Sequence, residues 1–465
     1  MAIITPTRRT IPGPPALPLL GWRANMFKLF GDPFRYLRWL HDTYGDVVAL
    51  AQGDPSWVCA FGPELNFRLL ANPELFEVSA EPFQKVLLKD TAITRLGAHS
   101  LQMMKGEHHK QQRRLIQPAL HKQQVVRYDN DMVALTQSML DSWQGRSEID
   151  LYREMKQLTR RIVVKLLFGL DDEVELDHIS MLMERMGQAL LVALIAPINM
   201  PGTPYHRALH TAERLEVALR SLIAHKRSEI EATDLLAVLI QAHDEDGTKL
   251  SDDELLSHTF TLFGAGHETT TNALTWTIFL LNQHPQSFSD LLDGTLHGNP
   301  PTGEQVQHLT LLDGVVKESL RLLPPAVFGR RNTTASCELG SFVLPKGAAV
   351  IYSEFVTHRL PELYEEPDRF KPERWAALRR TAYEYLPFSA GQHRCIGAEF
   401  AIQEIKMVLA TLLQRYRLSV MPGARIATNL AMRPVHGVPM HVFPQDRRFQ
   451  RVPVRGGIHN LIELA

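Results

Sequence analysis

Apolar residues recur at three- and four-residue spacing along most of this chain. That spacing predicts helices through about 33–44, 106–120, 130–144, 151–169, 174–195, 205–231, 252–283, 308–322 and 398–415. Strand-like pieces lie near 46–60, 341–352 and 428–443. Strands that collect toward the two ends around a helical middle point to a mainly α chain with a small β-rich part, an α+β arrangement rather than alternating βαβ units. Length alone would suggest roughly three domains of about 150 residues. Yet no Ser/Gly-rich linker, long charge run or internal repeat divides the 465 residues, so one domain over 1–465 is expected.

The longest apolar run, Ala189 to Ile198, is broken by Pro197. It is far short of the ~20 residues a membrane span needs. Met1 to Arg9 has no apolar h-region, and Thr10 to Pro15 reads as a rigid extended stretch, so no signal peptide or membrane anchor is expected. The composition is that of a globular protein, 45% hydrophobic and 22% charged, and a formal net charge of −1 gives no reason to expect nucleic-acid binding. Three scattered cysteines (Cys59, Cys337, Cys395) make no disulfide framework and suit a reducing compartment, so a cytoplasmic location is expected.

Cys395 stands apart because of its neighbours. It lies in Phe388-Ser389-Ala390-Gly391-Gln392-His393-Arg394-Cys395-Ile396-Gly397, just before the apolar helical run of 398–415. Unpaired N–H groups at a helix start favour an anion, which predicts a lowered thiol pKa. Gly391 and Gly397 would allow a tight turn and the close approach of a flat ligand. Taken by itself the loop leaves several readings open. A buried structural cysteine is the ordinary one. Zinc is poorly supported because no CxxC exists, and a nucleophile would need a base that His393 alone does not establish. Thiolate ligation of haem iron is the fourth.

The loop resembles the haem-binding signature of the cytochrome P450 family, Phe-x-x-Gly-x-(Arg/His)-x-Cys-x-Gly. Phe388, Gly391, His393, Cys395 and Gly397 match every defined position. The resemblance implies the P450 fold, with a long central helix over a haem b group (iron protoporphyrin IX) and Cys395 as its iron ligand. Further motifs extend it over about residues 10–445.

Within the pattern of 252–283, Thr261 to Asn272 holds glycines and a run of threonines, poor mid-helix choices. Hydroxyls there can bond carbonyls one turn back and bend the helix, so a kink with an acid and an alcohol beside a gap is expected. His267-Glu268 fails as an HExxH zinc motif because Thr271 stands where the second histidine belongs, and the third glycine of a dinucleotide fingerprint is missing. Packing threonines would be the ordinary explanation. The segment is similar instead to the P450 oxygen-activation motif, through Ala265, Gly266, Glu268 and Thr269. The resemblance implies that Thr269 hydrogen-bonds bound dioxygen and that Glu268 relays protons.

Glu318 and Arg321 are spaced i, i+3 on an apolar helix ended by Pro324-Pro325, so the pair is expected to be buried and satisfied. It resembles the P450 ExxR motif, whose third partner, in the stretch Asp368 to Trp375, is Arg374. A structural role is implied for all three. For the haem propionates the resemblance suggests His109 and Arg113, at i, i+4 on one helix face, with His393 and Arg331; Arg330 leaves that register open by one.

The family's pocket would be roofed by about 83–100 and 187–205, including Leu191 and Ile195, and walled by Val327, Phe328 and Met432. Core packing is the alternative for each. About 70 residues follow Cys395, too few for a fused flavin domain, which implies a separate ferredoxin- or flavodoxin-type redox partner and its reductase. Lys110, Arg114, Arg394, Lys406 and Arg415 are the cations expected to receive it. Trp375 replaces the common Phe, position 109 lacks the family's tryptophan, and Ser341 stands where a second glycine is frequent. The expected activity is insertion of one oxygen atom from O2 into an apolar small molecule such as a fatty acid, terpenoid, retinoid or polyketide. A peroxide-driven or O2-independent enzyme of this fold, or a non-catalytic haem sensor, are the other readings.

Overall fold

A computed structural model describes residues 10–16, 18–78, 90–169, 177–187, 198–229, 234–295 and 302–464. Its longest element is the helix Asp252–Gln283, and its position decides where everything else sits. Ser251 starts it with a capping box: the Ser251 hydroxyl takes the Glu254 N–H, and the Glu254 carboxylate takes the Ser251 N–H. From Thr270 to Gln283 every residue is buried, so this half is wrapped on all sides.

One neighbour is the helix Leu151–Phe168, capped by Asp150 at its start and by Gly169 in the left-handed conformation at its end. Gly266 makes the close crossing possible, because a Cβ there would stand 2.9 Å from a Val163 methyl. The Thr159 and Thr271 hydroxyls meet at 2.7 Å across the same seam. The helices Thr310–Leu322 and Ala398–Arg415 pack on the long helix as well. Among these contacts, Thr277 donates to the Ser319 hydroxyl at 2.8 Å.

Three small sheets flank the helices. The largest has the order Val47–Ala49, Trp57–Ala60, Ala349–Tyr352, Gly329–Thr333, Phe76–Glu77, and only its second and third strands are parallel. Glu148–Asp150, Pro439–Pro444 and Tyr416–Val420 make an antiparallel sheet, and Cys337–Leu339 pairs with Phe342–Leu344.

The bounds of the two clearest apolar patterns, 252–283 and 398–415, are those observed. The expected helix 106–120 closes as Gly106–Ile116 followed by a 3-10 turn at Pro118. Of 174–195, residues 177–187 are helical, and the rest lies outside the described residues. The expected strand over 428–443 forms only from Pro439. Before it, Asn429 organises a turn by accepting the N–H groups of Ala431 and Arg433. The strand Gly329–Thr333 was hidden by its polar residues Arg330, Arg331 and Asn332. Short helices at Arg23–Gly31, Pro63–Leu70 and Ala92–Ala98 carried too few turns to register as periodicity.

Candidate active site

Midway along the long helix, Gly264, Ala265, Glu268 and Thr269 are exposed. Their i, i+1, i+4, i+5 spacing places them on one face, so the helix borders an opening there. The expected gap in the helix is not found, since its hydrogen-bonded pattern runs unbroken through the glycines. The threonines are accommodated by returning their hydroxyl protons one turn: Thr269 to Ala265 O at 2.8 Å, Thr270 to Gly266 O at 2.9 Å and Thr271 to His267 O at 2.8 Å. Thr269 Oγ1 therefore retains lone pairs toward the open face. Glu268 acts electrostatically on Tyr152 and His267, which places its carboxylate near both.

Cys395 lies three residues ahead of the helix Ala398–Arg415. Its N–H donates to Phe388 O at 2.8 Å, which closes the loop on itself, and half-buried Phe388 packs against the core. Gly391 has φ +70°, and a Cβ there would fall 1.9 Å from Leu70 O. The room this glycine provides is thus taken by the end of the helix Pro63–Leu70, not by a flat ligand. Cys395 keeps accessible surface, yet the protein encloses it closely enough that burial pushes its thiol up from the ordinary value. The Gly397 N–H, Arg113 and Arg394 oppose that shift without reversing it. The lowered pKa expected from the helix start is therefore corrected: desolvation outweighs the helix start. A coordinating metal deprotonates a thiol outright.

Buried and half-buried cationic and imidazole groups gather around the loop. Arg113 donates to Gln392 O at 3.3 Å and to Arg394 O at 2.8 Å, and Gln392 Nε2 meets His109 Nδ1 at 3.1 Å. The rings of His109 and His393 lie 4.2 Å apart. Burial, with His109, Arg331 and Arg113 nearby, pushes His393 down to about 3, so it is a neutral imidazole. Arg331 is buried beneath the Tyr352 ring, with 5.4 Å from guanidinium to ring centre, while Arg330 lies over Trp57. Alternation along the strand turns the two arginines to opposite sides, and Arg331 is the one whose field reaches His393.

Arg113 bonds only backbone carbonyls among the described residues, while Arg331 bonds the Arg330 carbonyl and the Tyr352 side chain, with the buried Glu354 carboxyl within its field. Buried Arg331 and half-buried Arg113, with no salt bridge to either among the described residues, and an accessible cysteine fit an iron porphyrin, whose two propionates would pair with the guanidinium groups. The residues present suit the group.

Below the loop, Glu318 is fully buried and receives five donors. Arg321 gives two bonds at 2.9 and 2.8 Å, Arg374 one at 3.0 Å, the Lys371 N–H one at 3.0 Å and the Trp375 indole one at 2.8 Å. Burial would push this carboxyl up, but Arg321 and Arg374 outweigh it and hold Glu318 below its usual range. Arg321 also reaches the carbonyls of His358, Pro367 and Arg369. His358 in turn accepts the Leu386 N–H at 2.7 Å, which links the cluster to the segment entering the cysteine loop. None of these residues reaches the open helix face.

Of the expected pocket residues, Phe328 is half-buried, whereas Val327 and Met432 are core: Val327 is 3% exposed and Met432 0%. Met432 is sealed because its carbonyl accepts the Trp276 indole at 2.6 Å and Ala431 O accepts Asn272, which pins the turn onto the long helix. Leu191 and Ile195 lie outside the described residues. The expected cationic patch is corrected in part. Lys406 is buried on Asp313, and Lys110, Arg114 and Arg415 are paired with Glu107, Asp244 and Asp141. Arg394 remains exposed, 3.8 Å from Glu399.

Sequence reading passed over two buried acids. Glu354 is pushed up to about 8 by burial, and Glu404 well above its ordinary value. Neither Glu404 oxygen has a partner among the described residues. An apolar pattern flanks both, and a single acid inside such a pattern carries no signal of its own.

The fold and the cysteine-centred site define a haem-thiolate oxidoreductase. The family model described as Cytochrome P450 matches residues 11–440. Cyclooctat-9-en-7-ol 5-monooxygenase of Streptomyces melanosporofaciens is 34% identical over 433 residues, 90% of this chain and 91% of the relative. Pentalenene oxygenase of Streptomyces avermitilis is 29% identical over 90% of this chain and 92% of its own length. Among solved structures, retinoic acid bound cyanobacterial CYP120A1 superposes with TM-score 0.80 at 24% identity, over 94% of this chain and 100% of that one. The chain belongs to the cytochrome P450 family; it is an oxidoreductase whose cofactor is haem b. No helix among the described residues is long and apolar enough to cross a membrane.

Proposed function

We propose that this protein inserts one oxygen atom of O2 into an unactivated position of an apolar terpenoid, drawing electrons from a separate ferredoxin- or flavodoxin-type partner. The second oxygen atom leaves as water, so each turnover consumes two electrons and two protons. The observation that carries this reading is the open face of the long helix, where Glu268 and Thr269 are presented side by side. The oxygenases named for cyclooctatenol and pentalenene substrates support the terpenoid class.

In this reading Cys395 Sγ is the iron ligand, and Arg331, Arg113 and His109 hold the propionates. His393 adds a ring nitrogen beside them as a hydrogen-bonding group. When bound, the haem supplies the redox chemistry that activates O2. The chain's own work is to place substrate over the open face, exclude bulk water and meter protons. Thr269 has given its proton to Ala265 O, so its oxygen acts as a hydrogen-bond acceptor toward the cavity. Glu268, beside Tyr152 and His267, is the carboxylate that takes protons from outside and releases them inward.

The test is a Thr269→Ala variant, assayed with surrogate redox partners and a panel of cyclic terpene hydrocarbons. A monooxygenase keeps consuming NAD(P)H but diverts it into peroxide, with product per electron pair falling at least several-fold. Unchanged coupling would mean that the alcohol does not manage protons, and would favour a peroxide-driven enzyme or a haem sensor.

A further inference from the structure

Near the start of the long helix, three elements bring metal-ligating groups together. His99 follows the helix Ala92–Ala98, His108 lies on the helix Gly106–Ile116, and Glu254 is in the first turn of the long helix. One ligand atom from each lies within 4.8 Å of the other two, and His108 Nε2 is 4.0 Å from Glu254 Oε1. We propose that His99, His108 and Glu254 form a site for a zinc-class divalent cation that ties these three helices together.

The donor set is chemically apt. Two imidazoles and one carboxylate suit zinc and its borderline neighbours, not the all-oxygen preference of magnesium or calcium. Bonds of about 2.0–2.2 Å around a tetrahedral ion require ligand atoms a little over 3 Å apart, so the cluster must contract by about 1 Å. Both histidine side chains are free to make that move: His108 is exposed, His99 is half-buried, and no hydrogen bond holds either ring among the described residues.

The carboxylate, by contrast, is already held. Glu254 Oε2 accepts the Ser251 N–H at 2.8 Å and the Ser251 hydroxyl at 2.9 Å. Glu254 Oε1 accepts Gln112 Nε2 at 2.6 Å, and Gln112 Oε1 meets His258 Nε2 at 2.7 Å. His258 is buried, and burial pushes it down to about 4, so it is neutral and its Nε2–H donates to Gln112. A directed chain from His258 through Gln112 thus orients the one anionic ligand, the second layer that metal carboxylates ordinarily have. The remaining lone pair of Oε1 is on the side of His108.

The position argues for a clamp and against a catalytic metal. Glu254 precedes the open face at Ala265 by eleven residues, about 16 Å along a helix at ~1.5 Å per residue. A bound cation would fasten residue 99 and the helix bearing His109 and Arg113 to the start of the helix that bears Glu268 and Thr269. This inference is independent of the proposed reaction.

The test uses the haem-loaded protein, stripped with a chelator and titrated with zinc chloride against a chromophoric chelator. Wild type is expected to take up one tight equivalent. His99→Gln and His108→Gln should each weaken it at least ten-fold, and Gln112→Leu should weaken it less. His210→Gln is the control, because His206 and His210 form an exposed pair 3.1 Å apart that could also chelate. An unchanged ferrous carbon-monoxide spectrum certifies that each variant is folded. No tight equivalent in wild type overturns the proposal. So does retention of that equivalent in both His99 and His108 variants, or its loss in His210→Gln alone.

Discussion

The indole N–H of Trp375 donates to Glu318 Oε2 at 2.8 Å, a bond that the phenylalanine common at this position in the family could not make. Arg321 and Arg374 already neutralise the carboxylate, and Trp375 saturates it. A hydrogen bond to a buried charged group contributes about 1.5–3 kcal/mol. Trp375→Phe is therefore expected to lose about that much unfolding free energy in denaturant titrations, with the ferrous carbon-monoxide spectrum unchanged. Equal stability would show that the remaining four donors suffice.

Glu354 gives a pH signature. Its folded-state pKa, about 8, lies above the ordinary 4.5, so the fold is favoured by the protonated form. That contribution is fully present below about pH 4.5 and is lost as pH rises through about 8. Glu354→Gln removes the titration. Between pH 5 and 8 its stability relative to wild type should improve by roughly 3 kcal/mol, from three pH units at ~1.4 kcal/mol each less the curvature near the pKa. Parallel pH profiles of chemical unfolding would refute the assignment.

Arg330 and Arg331 separate by face. Arg331→Ala leaves His393 and the Cys395 loop without their nearest buried guanidinium and should raise the rate of haem loss to apomyoglobin by ten-fold or more. Arg330→Ala, on the Trp57 side, should change it by less than about two-fold. The reverse order would place the propionate partner one position earlier.

Gly391 admits no side chain. At φ +70° with Leu70 O in the way, Gly391→Ala should yield little holoprotein. Haem content per chain after purification decides this. Full loading of the Gly391 variant would mean that the loop and the Pro63–Leu70 helix can separate.

What was legible in the sequence had either a period or a motif. The long helix could be read because its apolar residues run for nine turns, and Cys395, Glu318 and Thr269 because each sits in a spaced pattern. The Gly329–Thr333 strand was not, because its side chains serve the site and a neighbouring ring instead of a core face. The thiol's upward shift was invisible for another reason: desolvation depends on how closely distant segments enclose Cys395, and no local pattern records that. Val327 and Met432 looked like pocket walls by hydrophobicity, a property that core and pocket residues share. Trp375, read as a departure, became meaningful only once its indole was seen on Glu318.

The bonds from Arg113 to the carbonyls of Gln392 and Arg394 join positions 279 and 281 residues apart. At a synthesis rate of about 5–20 residues per second, Arg113 waits roughly 15–55 s on the ribosome before its acceptors are made. During that interval local helix formation cannot supply those acceptors. The contact that ties the Arg113 helix to the cysteine loop is therefore a late, long-range step in the making of the site.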